Sequence, residues 1–114
     1  MLEISKICKN LPKDERFRLI DQIDRSSSSV QDNISEGYTA YYYNEKIKAM
    51  LIARKEAGET QNHILKMKGK GYISEEQTNI LIDRYEKLII GINKFNSYIQ
   101  EKRNTDPKRG SRTM

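Results

Sequence analysis

Lys48, Lys55 and Lys66 are the side chains whose spacing first points to chemistry. Steps of seven and eleven residues nearly complete whole turns of an α-helix, so the three ammonium groups fall along one side. Asn62 and Lys70 extend that side, and Glu59 interrupts it. Such a stripe can neutralise successive phosphates of RNA or DNA, and an oligomer would repeat it in every copy. A solvated helix face has the same pattern, and the stripe alone does not choose between the two. Lys108, Arg109 and Arg112 form a second basic group near the C-terminus. Tyr38, Tyr41, Tyr42 and Tyr43 stand between two helical patterns. Tyrosines beside basic residues can stack on unpaired bases, although they more often close the end of a bundle with rings inside and hydroxyls wet.

Catalysis is poorly provided for. His63 is the only histidine and Cys8 the only cysteine, and no second histidine or cysteine stands at metal-ligand spacing, so no metal site is expected. The carboxylates fall on solvent faces of helices, with no pair set apart for acid–base work. The run Ser26-Ser27-Ser28-Ser29 has no partner that would make a nucleophile, and reads as a tight crossing or a kink. No glycine-rich phosphate loop follows a strand. The expectation is a protein that is not an enzyme and holds no cofactor.

The net charge of +5 is unevenly spread: residues 43–72 carry seven basic and three acidic groups, residues 104–114 a net +2, and residues 13–42 a net −2. A polyanion partner and basic–acidic docking between subunits both fit this distribution. The N-terminus lacks the apolar run of a signal peptide, and nothing reaches membrane-spanning length. A lone cysteine suits a reducing compartment, so the expected location is cytoplasmic, away from membranes.

Helices must position these groups. Leu2, Ile4, Ile7, Cys8 and Leu11 predict a short first helix, ended by Leu11-Pro12. Phe17, Ile20, Ile23, Ser27, Val30, Ile34 and Tyr38 mark one face of a second, ending near Tyr41–Tyr43. Asn44 is the expected N-cap of a third, which buries Ile47, Met50, Leu51, Ala57, Ile64 and Leu65 and stops at Gly69 and Gly71. Ser74-Glu75-Glu76-Gln77 has capping-box spacing and starts a fourth, with its stripe at Leu81, Tyr85, Leu88, Ile92, Phe95 and Ile99. The expected fold is all-α: an antiparallel up-and-down four-helix bundle with a short first helix over residues 1–103, then a flexible basic tail over 104–114. So short a first helix leaves part of the groove open, which predicts a homo-oligomer.

Arg54 points into the apolar arc of this pattern, where it needs an acid such as Glu36 or one on another subunit. Asn33, Glu36 and Gly37 read as structural or subunit-interface residues: a close crossing at the glycine, with polar groups fixing the register.

Three blocks, Leu11-Pro12-Lys13-Asp14-Glu15-Arg16-Phe17, Asn33-Ile34-Ser35-Glu36-Gly37 and Gly71-Tyr72-Ile73-Ser74-Glu75-Glu76, together resemble the four-helix-bundle family of 23S rRNA intervening-sequence proteins over about residues 8 to 103. Glu59 falls where members of that family carry a glutamate. The resemblance implies a ring-like homopentamer. It also points to a relative, the accessory variability protein of diversity-generating retroelements, which binds nucleic acid and a reverse transcriptase. The function expected on these grounds is a non-enzymatic accessory protein binding nucleic acid, RNA ahead of DNA, and able to hold a reverse transcriptase. The competing expectation is a structural homo-oligomer that docks a protein and touches no nucleic acid.

Overall fold

The computed structural model describes residues 13–110, and three long helices hold most of them. Helix α1 spans Lys13–Thr39, α2 spans Tyr43–Gly69 and α3 spans Glu75–Thr105; a short 3-10 turn, Pro107–Arg109, follows. At 1.5 Å per residue the helices are about 40, 40 and 46 Å long. Helix α2 is the middle element, with α1 packed on one side and α3 on the other. Short turns at residues 40–42 and 70–74 make each neighbour antiparallel to α2.

The expected four-helix bundle is therefore corrected to three helices among the described residues. The predicted first helix, over about residues 2–11, lies outside them. A helix of that length would reach only about 15 Å, too short to be a fourth rod matching the other three.

Sequence chemistry explains the helix ends. Ser74 makes the capping box that starts α3: its Oγ accepts from Gln77 N at 3.0 Å, and Gln77 Oε1 accepts from Ser74 N at 3.0 Å. Gly71, with φ of +78°, supplies the left-handed residue of the preceding turn. Helix α2 starts differently from expectation. Tyr42 is its N-cap and makes no side-chain cap, while Asn44 lies inside the helix. The Asn44 backbone N–H donates to Gly110 O at 3.1 Å, and its side-chain Oδ1 accepts from Arg103 Nη1 at 2.8 Å. An unpaired N–H in the first turn of α2 is thus satisfied by the C-terminal segment. For this reason residues 104–110 of the expected flexible tail are folded back: α3 continues to Thr105, and the turn at 107–109 docks beside the start of α2.

The core follows one stripe from each helix. Leu19, Ile23, Val30, Ala57, Ile64, Met67, Leu81 and Tyr85 are buried together, with Met50, Ala53 and Ile92 further along. Every member of the predicted α3 stripe is buried or half-buried. Leu51 and Leu65, expected in the core, are 42% and 48% exposed instead, as is Phe17 at 68%. The serine run does allow a close approach: buried Ser26 Oγ lies 2.7 Å from Thr60 Oγ1 across the α1–α2 contact. Between α1 and α3 runs an open cleft lined by Ile34, Leu88 and Phe95, crossed by an edge-to-face contact of Tyr38 and Phe95 at 5.1 Å.

Candidate functional site

Burial of Ile47, Met50, Ala53, Ala57, Thr60, Ile64 and Met67 fixes the rotation of α2. The 3.6-residue period then turns Lys48, Lys55 and Lys66 outward, and all three are exposed. Lys48 and Lys66 lie 18 steps apart, about 27 Å of helix. No described acid lies within ion-pair distance of any of them. Lys70, also exposed, sits in the turn that ends the helix. Leu51, Ile52 and Leu65 are exposed on the same outer side, so apolar side chains interleave with the charges.

Glu59 is exposed and lies one turn after Glu56, close enough for the two carboxyls to act on each other. Partial burial, then the nearby Glu59 carboxylate, push the Glu56 carboxyl up, with Lys55 opposing. His63 Nδ1 is buried without a hydrogen-bond partner. Burial, then the Lys66 charge, hold the imidazole below its usual range, against an opposing pull from Glu59. Among the described residues no three His, Cys, Asp or Glu side chains are grouped to hold a metal ion.

The remaining predicted residues separate. Arg54 does not enter the apolar arc: it is exposed, and its Nη1 donates to Asn93 Oδ1 at 2.8 Å on α3. Core positions on α2 are taken by small or apolar residues such as Ala53 and Ala57, which leaves Arg54 at the edge of the α3 contact, within reach of a neutral amide. Glu36 is exposed. Half-buried Asn33 bonds within its own helix, its Nδ2 donating to Ser29 O at 2.8 Å. Gly37 does mark a close crossing: a Cβ there would lie 2.9 Å from both Cγ and Cε of Met50. Lys108 is exposed in the 3-10 turn, and Arg112 lies outside the described residues.

Arg109 is the second basic group that takes a defined place. Its guanidinium sits 4.6 Å and 4.8 Å from the ring centroids of Tyr41 and Tyr43, and its Nε donates to Tyr41 O at 3.0 Å. Two further cations line a pocket with it. Lys46, only 8% exposed, donates from Nζ to Tyr38 O at 2.7 Å and Gly37 O at 3.2 Å, carbonyls of the last turn of α1. Burial, then the Arg109 charge, push its ammonium below the usual lysine range. Lys102 Nζ lies 5.4 Å over the Tyr98 ring. Lys46 and Lys102 could not have been singled out from helical periodicity. Lys46 caps a different helix from its own, and Lys102 lines one pocket with Arg109 only because residues 104–110 fold back.

The family model described as 23S rRNA-intervening sequence protein matches residues 1–94. No curated protein and no solved structure matches. The match says nothing of diversity-generating retroelements or of a pentameric ring. Among the described residues no helix is long and apolar enough to cross a membrane. With most of its length covered by the match, this chain belongs to the family of 23S rRNA-intervening sequence proteins.

Proposed function

We propose that this protein is a non-enzymatic accessory protein that binds nucleic acid, RNA rather than DNA, and acts as a homo-oligomer. The observation that carries the reading is the line of Lys48, Lys55 and Lys66 along about 27 Å of an exposed helix face, none of them in an ion pair with a described acid. Cations not locked in ion pairs keep their charge available for phosphates and release counterions on binding. The family's description names 23S rRNA, which supports RNA as the partner. The open apolar cleft between α1 and α3 supports self-association.

The test is binding of a labelled single-stranded RNA, followed by fluorescence anisotropy. Lys48, Lys55 and Lys66 changed together to glutamate abolish binding on this reading, while the helical content stays the same. Full binding by that variant refutes it.

A second reading rests on Leu51, Ile52 and Leu65, exposed among the lysines. An apolar and basic surface also suits an acidic protein partner or a second copy. Changing Leu51 and Leu65 to serine separates the two: it leaves RNA binding intact on the first reading, and on the second it weakens self-association or docking instead.

A further inference from the structure

The end of the molecule where α1 turns into α2 holds an open pocket of about 280 Å³, lined by Tyr43, Lys46, Tyr98, Ile99, Lys102 and Arg109. Three of these six residues are cations and none is an acid. Each cation is held by something other than a carboxylate: Lys46 by two backbone carbonyls, Lys102 by the Tyr98 ring, and Arg109 by two tyrosine rings and a carbonyl. The acids in the neighbourhood are otherwise engaged or set aside. Asp106 Oδ2 accepts from the Tyr43 hydroxyl at 3.3 Å, and Glu101 lines an adjacent hollow with Tyr98, Lys102 and Thr105, without forming an ion pair with Lys102. Positive charge of this density, with no acid lining the pocket, is stabilised by an anion.

The rings narrow the class of anion. Tyr98 lines the pocket and is 54% exposed, so part of its ring is open to solvent beside Lys102. Lys102 is exposed as well, so its ammonium is free to move from that ring to a bound anion. A phosphate with a planar ring attached satisfies both halves of the pocket at once. In a duplex the ring is stacked and paired, whereas in a single strand it is available to an aromatic side chain.

We propose that this pocket binds one nucleotide unit of a single-stranded nucleic acid, with the phosphate held by Lys102 and Arg109 beside Lys46 and the base against Tyr98. The proposal rests on the nucleic-acid reading above and adds a site separate from the lysine line of α2.

The test is an amide-resonance titration of the full chain with adenosine monophosphate, adenosine and inorganic phosphate in turn. Adenosine monophosphate is expected to move the resonances of Tyr43, Tyr98, Lys102 and Arg109, and the other two ligands to move them less. The double variant Lys102→Gln, Arg109→Gln weakens that response about tenfold, as loss of charge-assisted hydrogen bonds does. The Lys48→Glu, Lys55→Glu, Lys66→Glu variant leaves it unchanged. No response to adenosine monophosphate, or one that survives the double variant, overturns the pocket. An equal response to inorganic phosphate overturns the nucleotide and leaves a plain anion site. Because the wild-type titration decides by itself, a double variant that fails to fold does not protect the proposal. Labelled single-stranded RNA separates the two readings. RNA bound without any response to adenosine monophosphate overturns the pocket alone, and a localised nucleotide response without RNA binding overturns the function proposed above.

Discussion

Gly37→Ala probes the contact that brings α1 onto α2. The added Cβ would stand 2.9 Å from Met50 Cγ and Cε and 3.2 Å from its Sδ, and Met50 is only 2% exposed. Met50 cannot swing into solvent, and its Cγ is too near its own helix to move far, so the contact is overpacked at about 2 kcal/mol. Alanine in place of glycine inside a helix returns about 1 kcal/mol, so the net destabilisation is about 1 kcal/mol. Met50→Ala alone leaves a cavity that costs about 3 kcal/mol. In the double variant the clash is gone and the helix gain stays, so the loss is about 2 kcal/mol rather than the additive total of about 4 kcal/mol, a coupling near −2 kcal/mol. Urea unfolding, followed by circular dichroism at one fixed protein concentration, measures all four corners. Over 114 residues each kcal/mol also moves the thermal midpoint by about 4 °C. Additive single variants, or a Gly37→Ala protein more stable than wild type, would refute the steric reasoning.

Other parts of the structure make separate predictions. Ser74→Ala removes one half of the capping box and lowers stability by about 1 kcal/mol, read in the same urea experiment, and Ser74→Asp restores most of it. His63, held below its usual range mainly by burial, binds a proton less readily in the folded chain than in the unfolded one. Its contribution is therefore complete above the unfolded value of about 6.5 and is lost as the pH falls from there towards the lowered folded value. Glu56, pushed up, works the other way: its contribution is complete below its unfolded value and is lost as the pH rises through the folded one. Stability measured from pH 7 down to pH 5 should fall less in His63→Gln than in wild type, and an identical slope would contradict the burial of its ring nitrogen.

What could be read from the residues alone was local. The α3 stripe from Leu81 to Ile99, the capping box at Ser74 and the stop near Gly71 each depend on neighbours within a few positions, and the folded chain keeps them. The outward line of Lys48, Lys55 and Lys66 was legible for the same reason, since a period of 3.6 fixes their side once α2 is a helix. Non-local choices were not. Leu51 and Leu65 fit a buried stripe on paper, yet α2 meets its neighbours through Ala53, Ala57 and Thr60, which admit close contact and turn both leucines outward. The same rotation takes Arg54 out of the arc to Asn93. Asn44 resembled an N-cap because no periodicity reveals that Gly110 returns to satisfy the start of α2. The pocket of Lys46, Lys102 and Arg109 draws on two helices and the turn beyond them, so no single segment announces it.

The salt dependence of RNA binding is the most direct measurement on the lysine line. Each phosphate neutralised on a single strand contributes about −0.7 to the slope of log affinity against log salt. Lys48, Lys55 and Lys66 changed together to glutamine remove three such contacts, so the slope should become shallower by about 2 while the helical signal is unchanged. A slope equal to that of the wild type would mean that these lysines meet no phosphate, and the proposed function would fall with them.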